Sequence, residues 1–157
     1  MIKKISPNIA FVILIFILDR LSKITILELA KPLGKLNIEL TSFLNLNLIW
    51  NSGIAFGLFS FKDNLYYNLI TIIIIIVTLL VLWFASKSKG YEKICFLMIL
   101  GGALGNIFDR IYYSSVIDFI DFNYNNFQWF IFNVADIFIT IGVIMLIISE
   151  ILRFKQK

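Results

Sequence analysis

The chain has 157 residues, of which 60% are hydrophobic, 16% aromatic and only 15% charged, with a formal net charge of +4. Soluble domains are usually about one-quarter charged, so this composition indicates a protein of the lipid bilayer. The sequence has no histidine and one cysteine, Cys95, which excludes a Ser-His-Asp triad, a Cys-His pair and a HExxH zinc site, and leaves Asp, Glu, Lys, Ser and Tyr as candidate catalytic groups.

Four apolar segments follow one another along the chain, each near the roughly 20 residues that a membrane helix needs. They predict an all-α polytopic membrane protein with four transmembrane helices in a single domain, residues 1–157. An uncleaved first helix is favoured over a signal peptide, because no small-residue cleavage site follows it. The predicted helices cover about residues 8–29, 65–85, 94–111 and 133–152.

The two longer connections, at about 30–64 and 112–132, are not simple turns. Residues 44–48 read LNLNL, and such strict alternation is typical of a half-buried strand. The second connection also has strand-like parts. These segments therefore predict a small β-sheet outside the membrane.

Lysine and arginine concentrate at the N-terminus, in the short loop between the second and third helices, and at the C-terminus. By the positive-inside rule these regions face the cytoplasm, so both termini are predicted to be cytoplasmic and the sheet extracytoplasmic. The positive charge is therefore interpreted as a topology signal. No basic stripe interleaved with aromatic residues occurs, and no nucleic-acid partner is expected.

With this topology, uncommon polar residues from four stretches of chain fall at the outer leaflet. Some have ordinary structural explanations. Asp19 and Lys23 are spaced as an ion pair on one helix face, and Asn133-x-x-Asp136 resembles a helix capping box. In the same way, the GxxxG pattern of Gly101 and Gly105 is typical of close helix packing.

Taken together, the polar residues favour a catalytic site, in which Asp118 and Asp136 are the carboxylates best placed to meet. Two carboxylates held close cannot both ionise readily, so such a pair keeps one proton near neutral pH. The ionised member can act as a general base towards water, and the protonated member as a general acid. This chemistry is that of aspartic proteases, and it needs neither a metal nor a cofactor.

Five motifs carry a resemblance to a known family: DRLSK (19–23), NSGIAFG (51–57), GGALGNIFDR (101–110), VIDFID (116–121) and FNVAD (132–136). In order and spacing they resemble the signature blocks of lipoprotein signal peptidase, or signal peptidase II, a family of bacterial membrane aspartyl proteases. The resemblance spans nearly the whole chain. It implies a multi-pass protein of the bacterial inner or plasma membrane, surrounded by membrane lipid, with a flexible cover over an extracytoplasmic active site.

The resemblance also implies a reaction and residue roles. The expected enzyme is an intramembrane aspartic endopeptidase that cleaves diacylglyceryl-modified prolipoproteins on the N-terminal side of the lipidated Cys. Asp118 and Asp136 would be catalytic. The motif DRLSK departs from the more usual DQxTK and places Arg20 beside the acid. The expected substrate-binding or supporting residues are Asn51, Gly53, Asn106, Arg110 and Asn133, and the expected structural polar residues are Asp19, Lys23 and Asp109.

Asp121 competes with Asp118, because the two lie three residues apart in VIDFID. Side chains alternate on a strand, so an odd spacing points them in opposite directions. One of them is expected to meet Asp136, and the family block favours Asp118 for that place. The other is expected to face solvent or the membrane surface.

Three other functions are alternatives to this one. A small proton- or ion-coupled transporter would place polar residues through the full depth of the bundle, whereas the inner halves of the last three helices are apolar. A Ser-Lys hydrolase has candidates in Ser22-Lys23 and Ser86-Lys87, but adjacent residues on a helix do not face each other. A non-catalytic membrane scaffold is the third alternative.

Overall fold

The computed structural model describes residues 6–32, 34–53, 64–124 and 127–154, which form four long helices and a small antiparallel sheet. The predicted helix ends lie within four residues of the observed ones. The largest difference is at the start of the third helix, because its polar first turn gives no apolar signal. The elements are α1 Pro7–Ala30, β1 Asn37–Glu39, β2 Leu44–Asn51, α2 Asn64–Lys87, α3 Gly90–Tyr113, β3 Val116–Tyr124, β4 Phe127–Phe132 and α4 Val134–Phe154.

Within the described residues, the helices α2, α3 and α4 are long and apolar enough to cross a membrane. The helix α3 is the central one, since it packs against each of the other three helices. The helix α1 has 24 residues, but the charged residues Asp19, Arg20 and Lys23 interrupt its apolar run. The described residues therefore contain three candidate spans. Helix α1 differs from them in carrying buried charges within its apolar run, whereas the buried charges of α3 and α4 lie near a helix end.

Glycines on two sides of α3 bring its neighbours close. A Cβ added at Gly105 would lie 2.5 Å from Asp19 Oδ2 on α1, and one added at Gly101 would also meet α1 atoms. A Cβ added at Gly102 would lie 2.5 Å from the backbone oxygen of Ala135 on α4. Close helix packing at the GxxxG pattern is therefore confirmed, and Gly102 allows the same approach by the helix that carries Asp136.

We expect Gly102→Ala to lower the thermal unfolding midpoint of the purified protein in detergent. Overpacking of this kind costs about 1–3 kcal/mol, which corresponds to a decrease of roughly 2–12 °C for a chain of this size. The clash is with backbone at the start of α4, which cannot rotate away. Leu104→Ala, on a more exposed part of the same helix, should leave the midpoint nearly unchanged. Equal midpoints for Gly102→Ala and the wild type would contradict this close contact.

The sheet has the strand order β1-β2-β3-β4, with every pair antiparallel. The alternating LNLNL stretch correctly predicted β2, whereas β1 is too short to give a pattern of its own. Ile117 and Phe119 of β3 pack in a buried cluster with Ile26 and Ala30 near the end of α1. This packing fixes the sheet at the end of the bundle where α1 and α3 finish and α4 begins. The predicted cover segment, where it falls on residues 54–63, lies outside the described residues.

Candidate active site

Four charged side chains form a buried group at this end of the bundle, called here the charge cluster: Asp19, Arg20 and Lys23 of α1, and Asp109 of α3. Lys23 Nζ lies 3.0 Å from Asp19 Oδ2 and 2.7 Å from Asp109 Oδ2. Arg20 bridges the same two carboxylates at 2.7 and 2.5 Å. The predicted Asp19–Lys23 pair is confirmed. Two positive and two negative charges sum to zero, and this mutual pairing offsets the cost of taking each charge out of water.

The charge cluster also holds the backbone of two other elements. Asp19 Oδ1 accepts a hydrogen bond of 3.1 Å from the amide of Ala135, which is one of the free N–H groups in the first turn of α4. Asp109 Oδ2 accepts one of 3.2 Å from the amide of Ile117 at the start of β3. The cluster therefore fixes the two segments that carry Asp136 and Asp118.

Each oxygen of Asp118 and Asp136, called here the aspartate pair, accepts one hydrogen bond. Asp118 accepts from Asn51 Nδ2 at 2.8 Å and from Asn133 Nδ2 at 2.6 Å. Asp136 accepts from Asn106 Nδ2 at 2.8 Å and from the backbone amide of Asn133 at 3.2 Å. The predicted supporting asparagines therefore all contact the predicted catalytic carboxylates.

Asn133 links the two members of the aspartate pair. Its Oδ1 accepts a hydrogen bond of 3.0 Å from the amide of Asp136, while its own amide donates to the Asp136 side chain. This reciprocal arrangement is a capping box, as predicted. The remaining polar group of the Asn133 side chain, Nδ2, donates to Asp118. One fully buried side chain thus starts α4 and holds Asp118 near that helix.

Burial raises the pKa of Asp118 from 3.8 to about 7, and the nearby charge of Asp136 acts in the same direction. The hydrogen bonds from Asn51 and Asn133 and the charge of Lys23 oppose this rise, because each favours the ionised form. Asp118 therefore gains and loses a proton near neutral pH. That is the range in which one carboxyl group can serve both as a base and as an acid.

Arg110, at the end of α3, lies beside the aspartate pair and is 4% exposed. Its Nη2 donates to the carbonyl of Gly53, and Gly53 in turn donates its amide to Asn51 Oδ1 at 2.8 Å. The guanidinium also lies 5.4 Å from the ring centre of Tyr67. Its buried Nε and Nη1 have no hydrogen-bond partner among the described residues. Two nitrogens of Arg110 beside the carboxylates are therefore left without a partner by the described part of the chain.

A cavity of about 240 Å³ adjoins these groups, with walls from α2, α3, α4 and the sheet. Five of its lining residues are predicted site residues, and most of the others are apolar. Thr140 also lines it and was not predicted, although its position one helical turn after Asp136 was a signal. Tyr67, which contacts Arg110, was not predicted either, because nothing in the apolar sequence around it marks it as a site residue. The lining residues are Asn51, Ile74, Ala103, Asn106, Arg110, Val116, Asp118, Asp136, Ile139 and Thr140.

Asp121 does not line this cavity. By strand alternation it shares the face of β3 that carries Ile117 and Phe119, opposite Asp118. The prediction that Asp121 faces solvent or the membrane surface is wrong, because it is 4% exposed. The reason is that β3 is covered on both faces, by the site on one side and by the end of α1 on the other.

The family model described as "Signal peptidase (SPase) II" matches residues 11–152 of the chain. The chain belongs to the signal peptidase II family. This membership confirms the resemblance of the five motifs and makes the protein a protease and a multi-pass protein of a bacterial membrane. The matches give no support to the transporter alternative.

Similar proteins agree with this family assignment. The lipoprotein signal peptidase of Pelagibacter ubique is 47% identical over 156 residues, covering 99% of this chain and 94% of its own. The lipoprotein signal peptidase of Cupriavidus necator is 36% identical over 149 residues, covering 94% of this chain and 84% of its own. A solved bacterial membrane enzyme, crystallised in meso, has a TM-score of 0.79 and 29% identity, covering 98% of this chain and 93% of its own. The likeness to this membrane enzyme therefore extends over nearly the whole length of both chains.

Proposed function

We propose that the protein removes signal peptides from diacylglyceryl-modified bacterial prolipoproteins, cleaving N-terminal to the lipidated Cys, with Asp118 and Asp136 as its catalytic residues. The observation that carries the proposal is the aspartate pair itself. Two buried carboxyl groups, held by four separate hydrogen bonds, adjoin a cavity between membrane helices. Relatives that carry the name lipoprotein signal peptidase supply the substrate class.

The pair holds one proton at rest, since two neighbouring carboxylates do not both ionise readily. The ionised aspartate takes a proton from water, and the water oxygen attacks the scissile carbonyl carbon. The protonated aspartate gives its proton to the carbonyl oxygen. When the C–N bond breaks, the aspartate that took the proton from water gives it to the leaving amine nitrogen. The other aspartate takes the proton of one hydroxyl of the tetrahedral intermediate, so the pair again holds one proton. Neither a metal nor another cofactor takes part in these steps.

The surrounding polar residues position these groups. Asn51 and Asn133 hold Asp118, and Asn106 holds Asp136. Arg110 Nε and Nη1, which have no partner among the described residues, bind carbonyl oxygens of the substrate backbone next to the scissile bond. Because these donors are already desolvated and in place, binding does not require them to leave water first.

The cavity wall formed by α2 and α4 is where the signal sequence docks, with the bilayer holding the acyl chains of the modified Cys. Anchoring the substrate on both sides of the scissile bond keeps that bond at one depth, which lowers the entropic barrier. The helix α1 is the fourth span of a single 157-residue domain. Its charged residues Asp19, Arg20 and Lys23 face the protein instead of lipid. Both termini are cytoplasmic, and the aspartate pair is near the extracytoplasmic surface.

The proposed reaction is tested by incubating the purified protein in detergent with one prolipoprotein in two forms, with and without the diacylglyceryl group on its Cys. We expect the modified form to be cut before the Cys and the unmodified form to persist, as followed by the masses of the products. Equal rates on the two forms would contradict the lipid requirement. No cut in either form would contradict the activity.

The proposed orientation predicts which sites an impermeant thiol reagent reaches from outside intact cells. In a Cys95→Ala background, Lys35→Cys lies beyond the end of α1 and is expected to react. Ser88→Cys, between α2 and α3, is expected to react only after the membrane is opened. The reverse pattern would place the aspartate pair on the cytoplasmic side, where exported substrates are not available.

A further inference from the structure

We propose that Arg20 is a positioning residue for the catalytic pair. By pairing with Asp19 and Asp109 it keeps the charge cluster neutral and leaves one N–H of Lys23 to orient Asn106 towards Asp136. This inference rests on the proposed function, since it concerns how the same pair is held. It assigns a role to Arg20, one of the two positions at which the DRLSK motif departs from the usual DQxTK.

Lys23 connects the charge cluster to the aspartate pair. An ammonium group has three N–H donors and no acceptor. Lys23 has three oxygen partners: Asp19 Oδ2, Asp109 Oδ2, and Asn106 Oδ1 at 3.0 Å. Because only an oxygen can face the ammonium, the amide of Asn106 must turn its Nδ2 the other way. That nitrogen donates to Asp136 Oδ1 at 2.8 Å.

Arg20 supplies the second positive charge, which makes the charge cluster neutral in this chain. Its two terminal nitrogens lie on different carboxylates, which suits a planar guanidinium and not a single ammonium. One of them also donates to the carbonyl of Gly105 at 3.3 Å. The guanidinium carbon also lies 4.8 Å from the ring centre of Phe108, within the range of a cation–π contact.

Without Arg20, the carboxylates of Asp19 and Asp109 would share Lys23 alone, and the buried charge cluster would carry a net charge of −1. Lys23 would then be drawn to the two carboxylates and away from Asn106. The extra negative charge would also disfavour ionisation of the aspartate pair. The titratable and charged groups around the pair are Asp19, Arg20 and Lys23 from α1, Tyr67 from α2, Asp109 and Arg110 from α3, and the two aspartates themselves.

The test is the pH profile of kcat on the diacylglyceryl-modified prolipoprotein. Arg20→Gln is expected to move both limbs of the profile to higher pH by on the order of half to one unit, because a nearby negative charge raises the pKa of carboxyl groups. Asp109→Asn leaves the cluster with an excess positive charge and is expected to move both limbs to lower pH. The double variant is neutral again and should return the limbs close to their wild-type position.

Two control variants separate charge from geometry. Arg20→Lys keeps the positive charge but loses the planar guanidinium that contacts both carboxylates. The limbs of its pH profile should therefore stay near those of the wild type, while kcat falls several-fold. Arg153→Gln removes a charge at the far end of α4 and should change neither the limbs of the pH profile nor kcat. If Arg20→Gln lowers activity equally at every pH with unmoved limbs, Arg20 has a structural role alone and the inference is wrong.

The result is also informative if Arg20→Gln does not purify as a folded protein. In that case the pH profile of Asp109→Asn is the deciding measurement. If its limbs stay at the wild-type pH, the inference is wrong. Asp118→Asn is assayed beside these variants. If it cleaves at the wild-type rate, the proposed function fails. If it is inactive while the limbs of the other variants do not move, the inference about Arg20 fails and the proposed function stands.

Discussion

Asp118→Asn and Asp136→Asn are each expected to abolish measurable cleavage, although both proteins should still insert into the membrane and purify folded. Asparagine keeps the shape of the side chain but can neither accept the proton from water nor carry the shared one. Loss of a positioned general acid or base costs on the order of 10²–10⁴ in rate, and more when two groups act as a unit. Rates with the lipid-modified substrate in detergent measure the effect.

Asp121→Asn is the matched control, because it makes the same change three residues away on the opposite face of β3. Asp121 is also buried, but it has no part in the hydrogen bonds of the aspartate pair, and its Oδ1 has no partner among the described residues. We expect it to retain substantial activity. The variant lacking both pair members should be no worse than either single variant, since half of the pair is already inactive. If Asp118→Asn is active and Asp121→Asn is inactive, Asp121 is the catalytic residue and the assignment of Asp118 is wrong.

The helices were predictable because a membrane helix must present about 20 apolar residues to lipid, and this requirement is visible in a linear sequence. The strand β2 was predictable because apolar and polar residue types alternate over residues 44–48. The first turn of α3 was not, since Glu92 and Lys93 break the apolar run without ending the helix. The burial of Asp121 was not predictable either. Strand alternation predicts that Asp121 lies on the face of β3 opposite Asp118, but it does not predict which element covers that face.

The supporting residues were found by a different route. Asn51, Asn106 and Asn133 stood out because amide side chains near membrane helices need polar partners, and the motifs grouped them. Their actual contacts depend on distances between elements far apart in the chain, which no local pattern contains. Arg20 illustrates this limit. The sequence marks it as an unusual neighbour of Asp19, but its contact with Asp109 spans 89 positions.

Asn133 has two physical roles that a suitable substitution can separate. As the residue that begins α4, it accepts a hydrogen bond from the Asp136 amide through Oδ1, a role that Ser also performs well. As a support for Asp118, it donates through Nδ2, and this donation favours the ionised carboxylate. The Oγ of a serine is too short to make both contacts. Asn133→Ser therefore retains the helix cap and loses the hydrogen bond to Asp118, whereas Asn133→Ala loses both.

We expect Asn133→Ser to unfold at nearly the wild-type temperature, and Asn133→Ala to unfold several degrees lower, because loss of an N-cap costs about 1 kcal/mol. Both should lower kcat at neutral pH by on the order of tenfold to a hundredfold, since a hydrogen bond to a charged group contributes about 1.5–3 kcal/mol. Both should also move the limbs of the pH profile upward by about one unit. The pKa of Asp118 is already about 7, and its ionised form would lose a donor.

Thermal unfolding and pH–rate profiles of these two variants, measured on the same preparations, decide between the roles. If kcat falls only in Asn133→Ala and follows its stability, Asn133 acts through the helix cap and its contact with Asp118 is incidental. If kcat falls equally in both while only the alanine variant loses stability, the donation to Asp118 is what catalysis requires. The second result is the one that the geometry predicts, because the 2.6 Å contact is the shortest of the four hydrogen bonds on the aspartate pair.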